Sequence, residues 1–228
     1  MIVWVTDTFL IAILLQQKKQ KQQKSEIVAY HYFPSPVYLT KKPEFLQIVN
    51  EVSEESLKKI TSDVHEIYPM HNTENYAGDP RLAEFCTYLW QTGWNILQGQ
   101  GYDMNNFHVM VDTVWTQEHY KHSLMEQHVH GFGAQLVGFY FLETPENCSR
   151  AMFHDPRGGK VQINLPEAEI SNATPASNII NFAPEPGMMI ISNAWLPHSF
   201  GRHGSEKPLK FVEDLHLSKF FQDFVLAI

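Results

Sequence analysis

Cysteine is nearly absent from this sequence. Cys86 and Cys148 are the two cysteines among 228 residues, which is too few for a disulfide framework or for a zinc site built from several thiolates. Such sparse use of cysteine is typical of a reducing compartment. We therefore predict a cytoplasmic protein whose two thiols are buried or half-exposed.

Positive charge is also scarce. Lys and Arg number 17 against 25 Asp and Glu, so the formal net charge is -8, which argues against a nucleic-acid backbone as the main partner. The sequence contains no Gly-rich phosphate loop, no internal repeat and no long basic run. We predict no nucleic-acid partner.

Long hydrophobic runs are missing as well. Residues 1–15 are mostly apolar but include Asp7, and they fall short of the roughly 20 residues that a membrane-spanning helix needs. They also lack the basic start and the cleavage site of a signal peptide. Residues 16–24 are almost wholly Gln and Lys, which is typical of a solvated tether. We predict an N-terminal appendage at 1–24, one domain at 25–228, and no membrane partner.

Apolar residues follow two different periods along the chain. In residues 43–61 and 82–98 they recur at helical spacing, with Asp79-Pro80 as a start and Gly99 as a stop for the second helix. From Phe107 onward, short segments alternate or run apolar, as strands do. The predicted strands are 107–115, 136–142, 151–153, 161–165, 179–182, 188–192 and 209–217. This spacing predicts a mainly β fold, a sandwich or barrel, with helices that cover a sheet.

Histidine is abundant, with 12 residues, and three of them suggest a metal site. His128 and His130 stand two apart on an extended segment, so their side chains point to the same face. His198 follows 70 residues after His128 (198 − 128), at the end of another apolar strand. Neutral imidazole binds iron, zinc, copper and nickel. We predict one metal pocket assembled from two distant strands.

Four motifs stand in an order that resembles a known family. They are His128-Val129-His130, Gly138-Phe139-Tyr140-Phe141, Asp155-Pro156-Arg157 and Trp195-Leu196-Pro197-His198. Together they resemble the 2-oxoglutarate/Fe(II)-dependent dioxygenases, in particular a bacterial and phage branch, which would mean the host cytoplasm for a phage protein. The resemblance covers about residues 105–220. It implies a double-stranded β-helix (jelly-roll, cupin-like) core with N-terminal helices on one sheet.

The resemblance also implies an enzyme with Fe(II), 2-oxoglutarate and O₂ as cofactors. Such an enzyme hydroxylates a C–H bond and releases succinate and CO₂. The substrate would be a protein side chain such as prolyl, or a small metabolite. The alternative is a cupin-like metal-binding or structural β-barrel without 2-oxoglutarate turnover. A homodimer is compatible with either function.

The resemblance leaves three interpretations of the metal site, because His130 stands where most relatives carry a carboxylate. The first is a three-histidine site of His128, His130 and His198. In the second, Asp155 or Glu126 supplies a carboxylate beside one histidine of the pair. In the third, the metal is held weakly and the activity is lost. An all-imidazole set would leave the iron one charge more positive and would change its redox potential.

A basic residue on the last core strand is implied for the distal carboxylate of 2-oxoglutarate. Lys210, 12 residues after His198 (210 − 198), is the first choice, with Arg202 and Arg157 as alternatives. The hydroxyl of Tyr140 could add a hydrogen bond.

Two acidic residues, Glu213 and Asp214, follow Lys210 on the same predicted strand. If the strand alternates regularly, one of these carboxylates points inward.

Overall fold

A computed structural model describes residues 28, 31–105, 107–131, 133–163, 165–213 and 217–221. The chain divides into two units, 1–34 and 35–228, and the described helices and strands belong to the second. The predicted appendage at 1–24 lies outside the described residues. Within the described ranges, no helix has both the length and the apolar character needed to cross a membrane.

Two helices lie on one face of a β structure. They are α1, Leu46–Leu57, and α2, Ala83–Gly99. The strands are β1 Val37–Lys41, β2 Met70–Asn72, β3 Phe107–Val111, β4 Trp115–His119, β5 Met125–His128, β6 Ala134–Glu143, β7 Ala151–His154, β8 Ile179–Phe182, β9 Met188–Asn193, β10 His198–Phe200, β11 Leu209–Glu213 and β12 Leu217–Phe221. Short 3-10 turns occupy Pro43–Phe45, Pro80–Leu82 and Gly158–Gln162.

The strands pair into two antiparallel sheets. The larger sheet has the order β1-β9-β6-β11-β4-β2, with β12 pairing to both β6 and β3. The smaller sheet has the order β5-β10-β7-β8. Strands that are distant in sequence are therefore neighbours in space. This arrangement confirms the predicted mainly β core with helices on one sheet.

Alternate residues of the central strands face two different apolar clusters. Tyr140 and Val212 pack with the buried side chains of α1 and α2, whereas Phe139, Phe141 and Phe211 pack between the two sheets. Because successive side chains of a strand point to opposite faces, β6 and β11 each serve both clusters. The space between the sheets is where the predicted metal residues meet.

The segment 107–115, predicted as one strand, is in fact two. The side chain of Asn75 donates to the carbonyl of Asp112 and accepts from the backbone N–H of Val114. These bonds satisfy the backbone through a side chain instead of a neighbouring strand and separate β3 from β4. Residues 116–119, which lie outside the predicted strands, belong to β4.

The strand predicted at 161–165 was wrong. A 3-10 turn covers Gly158–Gln162. Just before it, the carboxylate of Asp155 accepts a hydrogen bond from the backbone N–H of Arg157, a local bond that competes with extended pairing.

Candidate metal centre

Three imidazoles and one carboxylate converge between the two sheets. His128 ends β5, His130 follows it, His198 begins β10, and Glu213 ends β11. Their ligand atoms all lie within 4.8 Å of one another. Two nitrogen ligands about 2.1 Å from an ion lie about 4.2 Å apart when they are on opposite sides of it. The group is therefore close to the size that one metal ion requires.

Antiparallel pairing of β5 with β10 brings the histidines together. His128 and His198 are direct partners in the register, and their ring centroids are 4.5 Å apart. The backbone N–H of His130 donates to the carbonyl of Ala194, which fixes the residues after β5 against those before β10. The structure thus brings together all three histidines that the sequence suggested, and their role as ligands stays a prediction.

Backbone carbonyls orient two of the rings. Nδ1 of His128 lies 2.8 Å from the carbonyl oxygen of Glu126, and Nδ1 of His198 lies 3.0 Å from that of Leu196. Because a carbonyl oxygen can only accept, each Nδ1 carries the proton and donates. In the neutral ring, the lone pair is then on Nε2, the atom left to bind a metal.

His130 and His198 present their Nε2 atoms to each other. These two nitrogens are 3.1 Å apart, and the rings are stacked with an angle of 8° between their planes. Two ligands about 2.1 Å from an ion and at right angles to each other would be about 3.0 Å apart. The observed separation therefore suits adjacent positions on one ion.

Glu213 is the member of the group that the sequence analysis did not assign to the metal. It lies opposite Trp115 of β4 and Phe139 of β6, and it is 2% exposed. Its face of β11 is that of Phe211, between the sheets, as regular alternation requires. The available sequence signal was that same alternation, which turns one acidic residue of the strand inward.

The group is open on the side of the histidine pair. His198 and Glu213 are buried, whereas His128 and His130 are half-buried. Val129, between the two histidines, and Trp195, three residues before His198, are exposed. Because His130 is bonded to Ala194, Trp195 lies on a segment that is tied to the histidine pair, whereas the side chain of Val129 points to the face opposite His128 and His130.

The carboxylates proposed as alternative ligands lie elsewhere. Asp155 forms ion pairs with Arg157 at 2.7 Å and with Lys160 at 3.0 Å. Hydrogen bonds from Arg157, more than any other contact, hold the pKa of Asp155 well below its usual value. Glu126 is exposed on β5. The structure places neither of these carboxylates in the group.

Lys210 and Tyr140 face the helices and not the histidines. The amine of Lys210 bonds to Glu54 of α1 and, at 3.1 Å, to Glu143. The hydroxyl of Tyr140 donates to the backbone carbonyl of Lys42. The structure therefore does not bring the first-choice contact for 2-oxoglutarate to the site, because Lys210 and Glu213, three positions apart on β11, face opposite sides of the sheet.

The two arginines proposed as alternatives also have other surroundings. Arg157 is mostly exposed and pairs with Asp155. Arg202 is exposed in the loop after β10 and lines a surface pocket with Asn147 and Arg150. None of the four residues predicted to hold 2-oxoglutarate belongs to the four-residue group.

The described residues fit the metal better than they fit the co-substrate. Three imidazoles and a carboxylate form a donor set that divalent transition metals accept. Beside Glu213, the indole N–H of Trp115 is buried and has no hydrogen-bond partner, so it could donate to a carboxylate. It brings no positive charge, however, and the predicted cationic contacts lie away from the group.

Comparison with known proteins identifies relatives of the segment that contains the histidines. Residues 113–208 match the sequence model of a family described as "Putative 2OG-Fe(II) oxygenase". Nothing among curated proteins matches the chain. The matched segment holds all three histidines and ends just before β11. Over this segment the resemblance inferred from the motifs is confirmed, and the description of that family names Fe(II) and 2-oxoglutarate.

Solved structures show the same fold at low sequence identity. A prolyl-4-hydroxylase from Pseudomonas putida is 10% identical, with a TM-score of 0.54 over 81% of this chain and 92% of that one. AviO1 from Streptomyces viridochromogenes Tue57 is 10% identical, with a TM-score of 0.56 over 83% and 91%. The epimerase SnoN, in complex with Fe3+, alpha ketoglutarate and nogalamycin RO, is 11% identical, with a TM-score of 0.56 over 80% and 78%. These likenesses confirm the double-stranded β-helix core.

Proposed function

We propose, from the premise that the core of this chain is that of a 2OG-Fe(II) oxygenase, that the protein binds Fe(II) and oxidises a C–H bond of a substrate. The substrate would enter beside His128 and His130. The observation that carries this proposal is that His128, His130 and His198, which all lie inside the segment that matches the family, converge with the carboxylate of Glu213.

The protein's own part in this reaction is to hold the donors rigidly and to limit access of water. The carbonyls of Glu126 and Leu196 fix two imidazoles through Nδ1, so that Nε2 is the nitrogen that would bind the metal. Phe139 and Phe153 pack against the ring of His198, with centroids 5.3 and 6.1 Å away, and exclude solvent behind it. Bound Fe(II) with 2-oxoglutarate would supply the oxidising chemistry, for which open metal positions are needed.

The opening favours a substrate with an apolar part. Trp195, three residues before His198, is 47% exposed. A prolyl side chain of a protein or an apolar metabolite over His128 and His130 could contact Trp195 and present a C–H bond to the metal. The relatives include a prolyl-4-hydroxylase and an epimerase, so hydroxylation itself is part of the proposal.

One observation favours a second function, a cupin-like metal protein without 2-oxoglutarate turnover. If all four members of the group bind the ion, two of the six positions of an octahedral ion remain. Bidentate 2-oxoglutarate together with O₂ requires three. The distant positions of Lys210, Arg202, Arg157 and Tyr140 favour the same alternative.

Anaerobic titration of 2-oxoglutarate into the Fe(II)-loaded protein distinguishes the two functions. A visible charge-transfer absorption that saturates supports the oxygenase, as does O₂-dependent release of succinate. Iron binding without this absorption would favour the cupin-like alternative. Failure to bind Fe(II) would exclude both functions at this site.

A further inference from the structure

We propose that Glu213 is the carboxylate ligand of the metal, so that the site consists of three histidines and one glutamate. This inference rests on the proposed metal site and not on 2-oxoglutarate turnover, because four protein ligands leave two positions on an octahedral ion and favour the second function. It extends the site to a strand beyond the segment that matches the family, which ends at residue 208. The sections above place the Glu213 carboxylate with the three imidazoles.

Burial is the first argument. Glu213 is 2% exposed, and its neighbours across the sheet are the aromatic residues Trp115 and Phe139. Removing a carboxylate from water is costly, and buried charged groups are usually paired with opposite charges or bound to metals. A divalent ion at the centre of the group would offset this cost.

Charge balance is the second argument. Three neutral imidazoles leave a divalent ion with its full double charge, whereas two imidazoles and a carboxylate remove one unit. His130 stands where the resemblance implies a carboxylate, so the segment after β5 lacks that negative charge. Glu213 supplies this negative charge from β11, on the opposite sheet. The net charge of the centre is then that of a two-histidine, one-carboxylate site.

Geometry is the third argument. The histidines come from the smaller sheet and its adjoining segment, and the Glu213 carboxylate comes from the larger sheet. Donors on both sides of the cavity can surround an ion, whereas the three histidines alone approach it from one sheet. The 4.8 Å limit holds for the carboxylate oxygen as it does for the imidazole nitrogens.

The test is the affinity for Co(II), a spectroscopic substitute for Fe(II), in the wild-type protein and in Glu213→Gln. Glutamine keeps the size of the side chain and removes its charge. We expect Co(II) to bind at least about tenfold more weakly, because even loss of an outer partner of a ligand costs about that much, and we expect an altered visible spectrum. The matched control is Glu143→Gln, which removes a carboxylate from the neighbouring strand outside the group and should leave Co(II) affinity unchanged.

Wild-type affinity and an unchanged spectrum in Glu213→Gln would overturn the assignment of Glu213 and leave the histidine site standing. Absence of Co(II) binding to the wild type would overturn both the assignment and the proposed function. If Glu213→Gln does not fold, the assignment of Glu213 can still be tested on the wild-type protein. One equivalent of Zn(II) should shift a carboxylate band in its infrared difference spectrum, and an unshifted spectrum refutes the proposal.

Discussion

His198 is the most deeply placed of the three imidazoles. Its ring contacts both other histidines, its Nδ1 is fixed by the carbonyl of Leu196, and it is 1% exposed. At the scale of single residues, the metal site therefore depends most on this side chain, since no solvent-exposed group could replace it.

Replacing His198 with alanine should abolish stoichiometric metal binding. The rings of both other histidines contact this ring, and the remaining histidines would share a half-open site. Metal content after dialysis against Fe(II) or Co(II) is the measurement. His154→Ala is the control, because Nε2 of His154 bonds to Ser199 and not to the group. Equal metal content in the two variants would contradict the assignment.

Lys210 has a structural role on the opposite face of the same strand. Its side chain is surrounded by the carboxylates of Glu54, Glu143 and Glu118. Burial acts to lower the pKa of Lys210, but hydrogen bonds to Glu54 and Glu143 outweigh it and leave the pKa above its usual value. Lys210 thus stays charged and joins α1 to the larger sheet.

Lys210→Met should lower the free energy of unfolding by about 2 kcal/mol, because it leaves the largely buried Glu118 without its cation. Chemical denaturation measures this effect. Lys41→Met is the control, since its pair with Glu185 is exposed and should contribute less than about 1 kcal/mol. An unchanged stability accompanied by a weakened response to 2-oxoglutarate would instead restore Lys210 as the co-substrate contact.

At the scale of elements, the turn before β9 is strictly constrained. Gly187 has φ +77°, and a Cβ atom there would lie 3.0 Å from Cα of Pro43. Its N–H donates to the carbonyl of Phe141, and its carbonyl accepts from Lys42. This glycine therefore connects β6, β9 and the turn that leads into α1.

Gly187→Ala should destabilise the fold by about 1–3 kcal/mol, because a side chain adds left-handed backbone strain and a close contact. Thermal or urea unfolding gives the value. Gly78→Ala provides the comparison, because nothing lies within 4 Å of a Cβ at that position and its φ is not positive. A loss of stability as large for Gly78 as for Gly187 would show that the strain is not the cause.

The sequence was a good guide to elements whose pattern is local. The helical spacing at 43–61 and 82–98 predicted α1 and α2 because their apolar faces repeat along the chain itself. The three candidate histidines were also identified from short motifs. These features depend on neighbouring residues, which the sequence displays directly.

The role of β11 could not be predicted in the same way, because it depends on which face of the strand meets which layer. If the register of β11 shifted by one residue, Lys210 would point into the barrel interior and its neighbours would point toward the helices. The register of β11 against β6 is itself irregular at Lys210 and Phe211. Lys210, predicted as the co-substrate contact, therefore faces the helices, while the inward acidic residue was seen but not connected to the metal.

At the scale of the whole molecule, acid stability should depend on a buried histidine at the far end of β4. His119 is fully buried and bonds to Gln117 through Nε2 at 2.7 Å. Burial, with a smaller contribution from the charge of His203, lowers the pKa of His119 to about 4. In the unfolded chain its pKa is about 6.5, so the unfolded chain takes up the proton first as the pH falls.

The free energy of unfolding should therefore fall between pH 6.5 and about pH 4, by on the order of 3 kcal/mol from this residue alone. Stability above pH 6.5 should be insensitive to it. His119→Gln should flatten this part of the curve, whereas exposed His122→Gln should not. Urea unfolding at several pH values measures the slope, and parallel curves for wild type and His119→Gln would contradict the prediction.

The division of the ligands between two sheets also bears on how the molecule unfolds. An ion held by His128 and Glu213 would join positions 85 residues apart in the chain (213 − 128) and would span both layers, as a cross-link does. Metal loading should then slow amide hydrogen exchange along β5, β10 and the end of β11 together, while α1 and α2 exchange as before. The bound ion would at the same time hold the two sheets together.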